Sequence, residues 1–190
     1  MTKVKILFAA IPAYGHLYPL MPLALACAEA GHDVTVACGP PFLGRLPLRT
    51  VRQMPDGDVG AAFAEAQRRD PDARGLELVV RMFADVASEA AAGVLLPLLE
   101  TERPDLVVYE AMDMGAGVAA DVVGVPAVGY AINLVHTGYA WLHPAAIGYR
   151  RALWSQGGRP VPEGRVFLGQ ALLSPSPPSM LAAAGELDVP

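Results

Sequence analysis

The chain has 190 residues, enough for one generous domain whose core needs neither disulfides nor a metal. Charged residues make up 17% and hydrophobic ones 53%, with a mean hydropathy of +0.35, which excludes an intrinsically disordered chain and favours a sheet covered on both faces. Fourteen Lys and Arg against nineteen Asp and Glu leave a formal charge of −5 without any basic run, so binding to nucleic acid is not expected.

A signal peptide is not expected at the N-terminus. Lys3 and Lys5 precede an apolar run, but Pro12, Tyr14, Gly15, His16, Pro19 and Pro22 interrupt it before it could cross a bilayer. A cytoplasmic protein without a membrane span is expected. The two cysteines, Cys27 and Cys38, lack metal spacing and read as small buried hydrophobes in a reducing compartment.

Val4 to Ala10 is a short continuous apolar run, Leu17 to Ala30 a helical stretch closed by Gly31, and Asp33 to Ala37 a β-branched run. Together they predict a βαβ unit with a right-handed crossover and parallel strands. Prolines and turn residues punctuate Pro40 to Gly75, leaving loops, a short strand at Arg49 to Gln53 and a helix near Ala61 to Arg69. Leu76, Val79, Val80, Phe83, Val86, Ala87, Ala90, Val94 and Leu98 share a face of a long amphipathic helix, with Glu77, Arg81, Asp85 and Glu89 elsewhere and Pro97 kinking or ending it. Then come a strand at Asp105 to Glu110, a small-residue helix at Gly115 to Val123 and a strand at Val125 to Ile132. A helix at Tyr139 to Ser155, a loop at Gln156 to Glu163 and a last strand near Arg165 to Leu173 complete the pattern. The expected class is α/β, a Rossmann-like, doubly wound parallel sheet in a single domain.

Such sheets bind ligands beyond the carboxyl ends of their strands, which directs attention to the loops after Ala10, Glu110 and Ile132. The first places His16 where the strand turns into a helix N-terminus, whose partial positive charge in a partly dry cleft would favour the neutral imidazole. Gly15 beside it is expected to allow a sharp turn and a close approach by ligand. A helix cap or surface histidine is the plain alternative. Glu110 and Asp113, after the later strand, each qualify to orient the second ring nitrogen of His16, although Asp113 also suits a helix cap. Gly115-Ala116-Gly117-Val118-Ala119-Ala120 matches GxGxxA, but it starts five residues beyond Glu110 and the next strand ends at Asn133 instead of an acid, so helix packing is the better explanation. No Walker A motif, nucleophile elbow or metal-spaced cluster occurs, and neither a metal nor a resident cofactor is expected. His136 and His143, near Tyr139 and Trp141, are read as lining or packing against a pocket, and His32 as a structural turn residue.

The stretch Ile6 to Pro22, ILFAAIPAYGHLYPLMP, with its GHxxP element at Gly15, His16 and Pro19, resembles the opening of the UDP-glycosyltransferase-like enzymes of the GT-B fold, family 1, above all those that glycosylate antibiotics and other natural products. AGHDVTVA at Ala30 to Ala37, PDLVVYE at Pro104 to Glu110 and GVPAV at Gly124 to Val128 extend the resemblance in order over nearly the whole chain. It implies an inverting, metal-independent transfer of a sugar from a nucleotide-diphosphate donor to a hydroxyl of a hydrophobic acceptor. His16 would be the base. Glu110 would be its supporting acid where Asp is usual, with Asp113 in reserve. Tyr14, Met82, Phe83, Asn133, His136, Tyr139 and Trp141 would line the acceptor pocket, and Gly15 and His16 would form the loop toward the donor. Residues 1–174 would then be the acceptor-binding domain, the N-terminal half of a GT-B fold, and 175–190 an exit segment toward an absent C-terminal donor-binding domain. On that reading the isolated chain turns over little. A non-catalytic partner subunit of a split enzyme, or a dinucleotide-binding oxidoreductase domain, are the alternatives.

Overall fold

The computed structural model describes residues 2–54, 59–132, 139–163 and 168–177, the side chains of residues 139–141 excepted. Six parallel strands form one sheet in the order β3-β2-β1-β4-β5-β6: β1 Lys5–Ala9, β2 Asp33–Cys38, β3 Arg49–Arg52, β4 Leu106–Glu110, β5 Ala127–Tyr130 and β6 Ala171–Leu173. The order reverses beside β1, so the doubly wound sheet expected from the alternation of elements is present.

Alternation along β1 divides the core. Ile6, Phe8 and Ala10 face a layer containing Leu17, Leu20, Met21 and Ala24, which belong to helix α1 Tyr14–Leu17, a 3₁₀ turn at Tyr18–Leu20 and helix α2 Met21–Glu29. Leu7 and Ala9 face the other layer, built from α5 Ser88–Glu102, α6 Met114–Val123 and α7 Tyr139–Gln156. Each fully buried Leu or Phe in these layers stabilises the fold by about 1.5–3 kcal/mol. Between β3 and α5 lie α3 Val59–Arg69, α4 Gly75–Val80 and a π-helical segment, Arg81–Ala87, joined by a smaller cluster that contains Ala62, Ala66, Leu78, Met82 and Val86.

Several expectations need correction. The first helix begins at Tyr14, before Leu17, because the chain enters helical geometry directly after Ala13. The long helix does run unbroken from Gly75 to Glu102, but its buried face matches the one read from 3.6-residue spacing only in part. Val86 and Ala87 are buried as expected, but Leu76 and Val79 are exposed, whereas Leu78, Met82, Ala84, Asp85, Ala91, Leu95 and Leu99 are buried. The π segment inserts an i→i+5 turn, which shifts the phase of every position on one side of it relative to the other. Pro97 does not end the helix: both it and Gly93, whose carbonyl loses its partner, are on the solvent side, and α5 continues to Glu102 before Arg103 turns left-handed. Among the described residues the last strand is Ala171–Leu173, and Leu168 is a buried core residue in a bend before it; Arg165, Val166 and Phe167 of the expected strand lie outside the described residues. Cys38 is buried as expected, but Cys27 is only half-buried.

Gly75–Glu102, 28 residues long, is apolar enough to cross a membrane by length and composition, yet half of its most apolar window is buried inside the fold, as in a core helix. Of the exit segment, residues 178–190 lie outside the described residues.

Candidate active site

The parallel register aligns Ala9 with Ala37 and Tyr109, Cys38 with Arg52, and Glu110 with Tyr130, so the residues following these positions emerge at one edge of the sheet. The loop after β1 lies tightly against the one after β2. A Cβ on Gly39 would stand 2.2 Å from the Cβ of Pro12, so only glycine admits this approach. Ala13 then starts α1, one turn of which carries His16 over the end of β4.

His16 Nδ1 lies 2.7 Å from Glu110 Oε2. Glu110 is fully buried, its other oxygen accepts the Met112 backbone N–H at 2.8 Å, and the imidazole remains 19% exposed. Burial alone would lower the pKa of His16, but the hydrogen bond and charge of Glu110, with a smaller contribution from Asp113, outweigh it and the value rises above 6.5. The helix N-terminus was expected to hold the ring neutral; the adjacent carboxylate is closer and wins. Burial raises the pKa of Glu110 and His16 opposes that rise, so the two groups titrate as a pair.

Asp113 stands at the N-cap position of α6, but its carboxylate pairs with the side-chain Nε2 of Gln53, a buried residue just beyond β3. Burial pushes the Asp113 carboxyl up to about 7, against the pull of Gln53, and the charge of Glu110 adds to the rise. Of the two acids, Glu110 contacts His16, and Asp113 is paired with Gln53. Sequence reasoning missed Gln53. Its only signal was its place after a short strand whose neighbours also end in this loop cluster.

The arrangement joins a partly exposed imidazole, a buried carboxylate fixed to its Nδ1, and a second buried carboxyl. With Nδ1–H donated to Glu110, Nε2 is the nitrogen able to accept a proton from a ligand.

No family model matches the chain. It is 34% identical over 149 residues to the L-demethylnoviosyl transferase of Streptomyces niveus, covering 71% of this chain and 36% of that enzyme. It is 29% identical over 190 residues to the elloramycin glycosyltransferase ElmGT of Streptomyces olivaceus, covering 95% and 48%. The crystal structure of the Streptomyces sp. SF2575 glycosyltransferase SsfS6, complexed with thymidine diphosphate, matches with a TM-score of 0.73 at 23% identity, covering 93% of this chain and 50% of that one. The chain belongs to the natural-product glycosyltransferases of the GT-B fold. It spans 36% to 48% of the length of these curated relatives.

Within the chain the remaining predicted site residues separate. Phe83 stands beside His16, with ring centroids 6.0 Å apart. Met82, next in sequence, packs into the small cluster with Ala62 and Leu78. Tyr14 is 60% exposed and meets Tyr18 and Phe42 edge-on at 5.2 and 4.9 Å. Gly15 has no left-handed φ and provides no sharp turn; what it leaves is open space, with nothing within 4 Å of where a Cβ would be. Asn133 and His136 lie outside the described residues, as do the side chains of Tyr139 and Trp141. His143 is a core residue: its Nδ1 accepts the Leu168 backbone N–H at 3.2 Å, and burial drives its pKa down to about 3. His32 Nδ1 accepts the Val4 backbone N–H at 3.3 Å, in keeping with a structural turn.

The GxGxxA stretch is a packing device. A Cβ on Gly115 would stand 2.5 Å from the Ser88 carbonyl oxygen and 2.7 Å from the Ala91 Cβ, and one on Gly117 would stand 2.9 Å from the Tyr109 ring. Both glycines are therefore used to seat α6 against α5 and the sheet.

Proposed function

We propose that the chain is the acceptor-binding half of an inverting, metal-independent glycosyltransferase that moves a sugar from a nucleotide-diphosphate donor to a hydroxyl of a hydrophobic natural product. The His16–Glu110 pair at the open edge of the sheet carries this reading. The acceptor hydroxyl gives its proton to His16 Nε2 while its oxygen attacks the anomeric carbon. The bond from that carbon to the donor phosphate oxygen breaks, and the nucleoside diphosphate leaves with the electron pair. Glu110, fixed by the Met112 backbone N–H, accepts from Nδ1 and stabilises the imidazolium as it forms. Phe83 provides an apolar wall beside the base.

Thymidine diphosphate in SsfS6 supports a TDP-sugar as the donor. Because the chain matches about half of such enzymes, most of the donor site is assigned to a C-terminal half, and the 190-residue chain alone is expected to turn over little. A cytoplasmic setting accompanies this reading. In the chain joined to its donor-binding half, His16→Ala should lower turnover by about 10²- to 10⁴-fold, the usual worth of general-base assistance. Turnover within a few-fold of the parent would refute the role of His16.

A further inference from the structure

A set of ion pairs lies apart from the dyad, where α3, the π segment, α5 and α7 meet, and it continues through Arg69 to Glu65 and through Arg81 to Asp70. Arg69 of α3 reaches Asp85 Oδ1 at 3.3 Å and Glu89 Oε2 at 2.7 Å. Arg150 of α7 reaches the same Asp85 oxygen at 2.6 Å and Glu89 Oε1 at 3.0 Å. Two arginines and two acids thus form a ring, with Arg81 adding a 3.5 Å contact to Asp85 Oδ2. The Asp85 side chain is 7% exposed and that of Arg150 12%. At such depth desolvation offsets much of the attraction between charges, so the ring contributes defined geometry more than stability.

That geometry lies close to the base. Asp85 is two residues from Phe83 in the same π segment, a backbone form that recurs at functional sites. Phe83 has the His16 ring at 6.0 Å and also packs against the cluster that holds Ala62 and Val86. Ala62 and Val86, with Met54 and Ala90, line a cavity of about 330 Å³ whose polar wall includes Arg69 and Glu89 of the ring. Phe83 therefore adjoins both the imidazole and the residues that bound this cavity.

We propose that the Arg69–Asp85–Arg150–Glu89 ring is a positioning device: by pinning the π segment to α3 and α7 it holds Phe83 against His16 and so fixes how the imidazole meets an acceptor. This rests on His16 being the base. Asp85 acts here through Phe83 and touches no reacting atom.

The test is Asp85→Asn in the 190-residue chain, followed by NMR of the His16 ring protons across pH. Glu110 and Asp113 face that ring and remain in place. The expected result is loss of the Phe83 ring-current shift, with a higher His16 midpoint because the ring gains water. A folded variant that keeps both the shift and the midpoint overturns the proposal, whatever its melting temperature. Should Asp85→Asn fail to fold, the double variant Asp85→Leu with Arg150→Met removes both buried charges together and predicts the same change at His16. In the enzyme with its donor-binding half, Asp85→Asn should lower kcat by about tenfold or more at unchanged donor KM, as small misplacements of reacting groups do. If His16→Ala leaves turnover intact while Asp85→Asn still moves the His16 resonances, the catalytic reading fails and the mechanical link stands.

Discussion

Asp113 offers the sharpest thermodynamic test of the buried acid cluster. Burial pushes its carboxyl up to about 7 in the folded chain from an ordinary 3.8. Between those values the native state keeps a proton that the unfolded chain has released, so stability falls as pH rises through that window and the full cost persists above it. About three units at roughly 1.4 kcal/mol each give about 4 kcal/mol as the upper limit at pH 8. Asp113→Asn removes the charge while retaining an oxygen for Gln53 Nε2, and its new amide can donate to Gln53 Oε1, a buried atom without a hydrogen-bond partner among the described residues. Urea unfolding followed by tryptophan fluorescence should show the variant gaining up to about 4 kcal/mol on the parent at pH 8, with little difference below pH 4. An advantage independent of pH, or a variant less stable than the parent at pH 8, would refute the reasoning.

Other predictions follow from the same geometry. The raised pKa of His16 means that transfer by the complete enzyme should increase with pH through a midpoint above 6.5, and Glu110→Gln should move that midpoint downward; a profile unchanged by Glu110→Gln would count against the pair. Gly115→Ala forces a Cβ against the Ser88 carbonyl and should cost about 1–3 kcal/mol in chemical unfolding, and a neutral result would show that α5 and α6 are less tightly seated than described. Addition of NAD(P) should leave the melting temperature unchanged, because helix packing occupies the space over Gly115 and Gly117; a concentration-dependent rise would reopen the oxidoreductase alternative.

The sheet was legible because buried parallel strands are written as short β-branched runs, such as those around Phe8, Val36 and Val108, and each is bounded by turn residues. His16 and Glu110 were legible because strand ends in such a sheet converge, and the GHxxP element marked one of them. The pairing of Gln53 with Asp113 was not. A hydrogen bond between residues 60 apart depends on the register of β3 against β2, which no local pattern encodes. The buried side of the long helix was read only in part, for a related reason. Periodicity assumes a uniform turn, and the π segment breaks that assumption between Arg81 and Ala87. The resulting burial of Asp85 contradicts its charge until Arg69 and Arg150 arrive from other helices.

The imidazole and its apolar neighbour descend from different layers of the molecule. His16 is carried by the short helix that leads into α2 on one face of the sheet, whereas Phe83 comes from the segment running into α5 on the other, and they meet only beyond the strand ends. On the proposed reading the two sides are coupled at three positions, so an exchange of α3 and the π segment between relatives would have to keep Arg69, Phe83 and Asp85, while Glu110, Met112 and the strand register hold the imidazole from the other side.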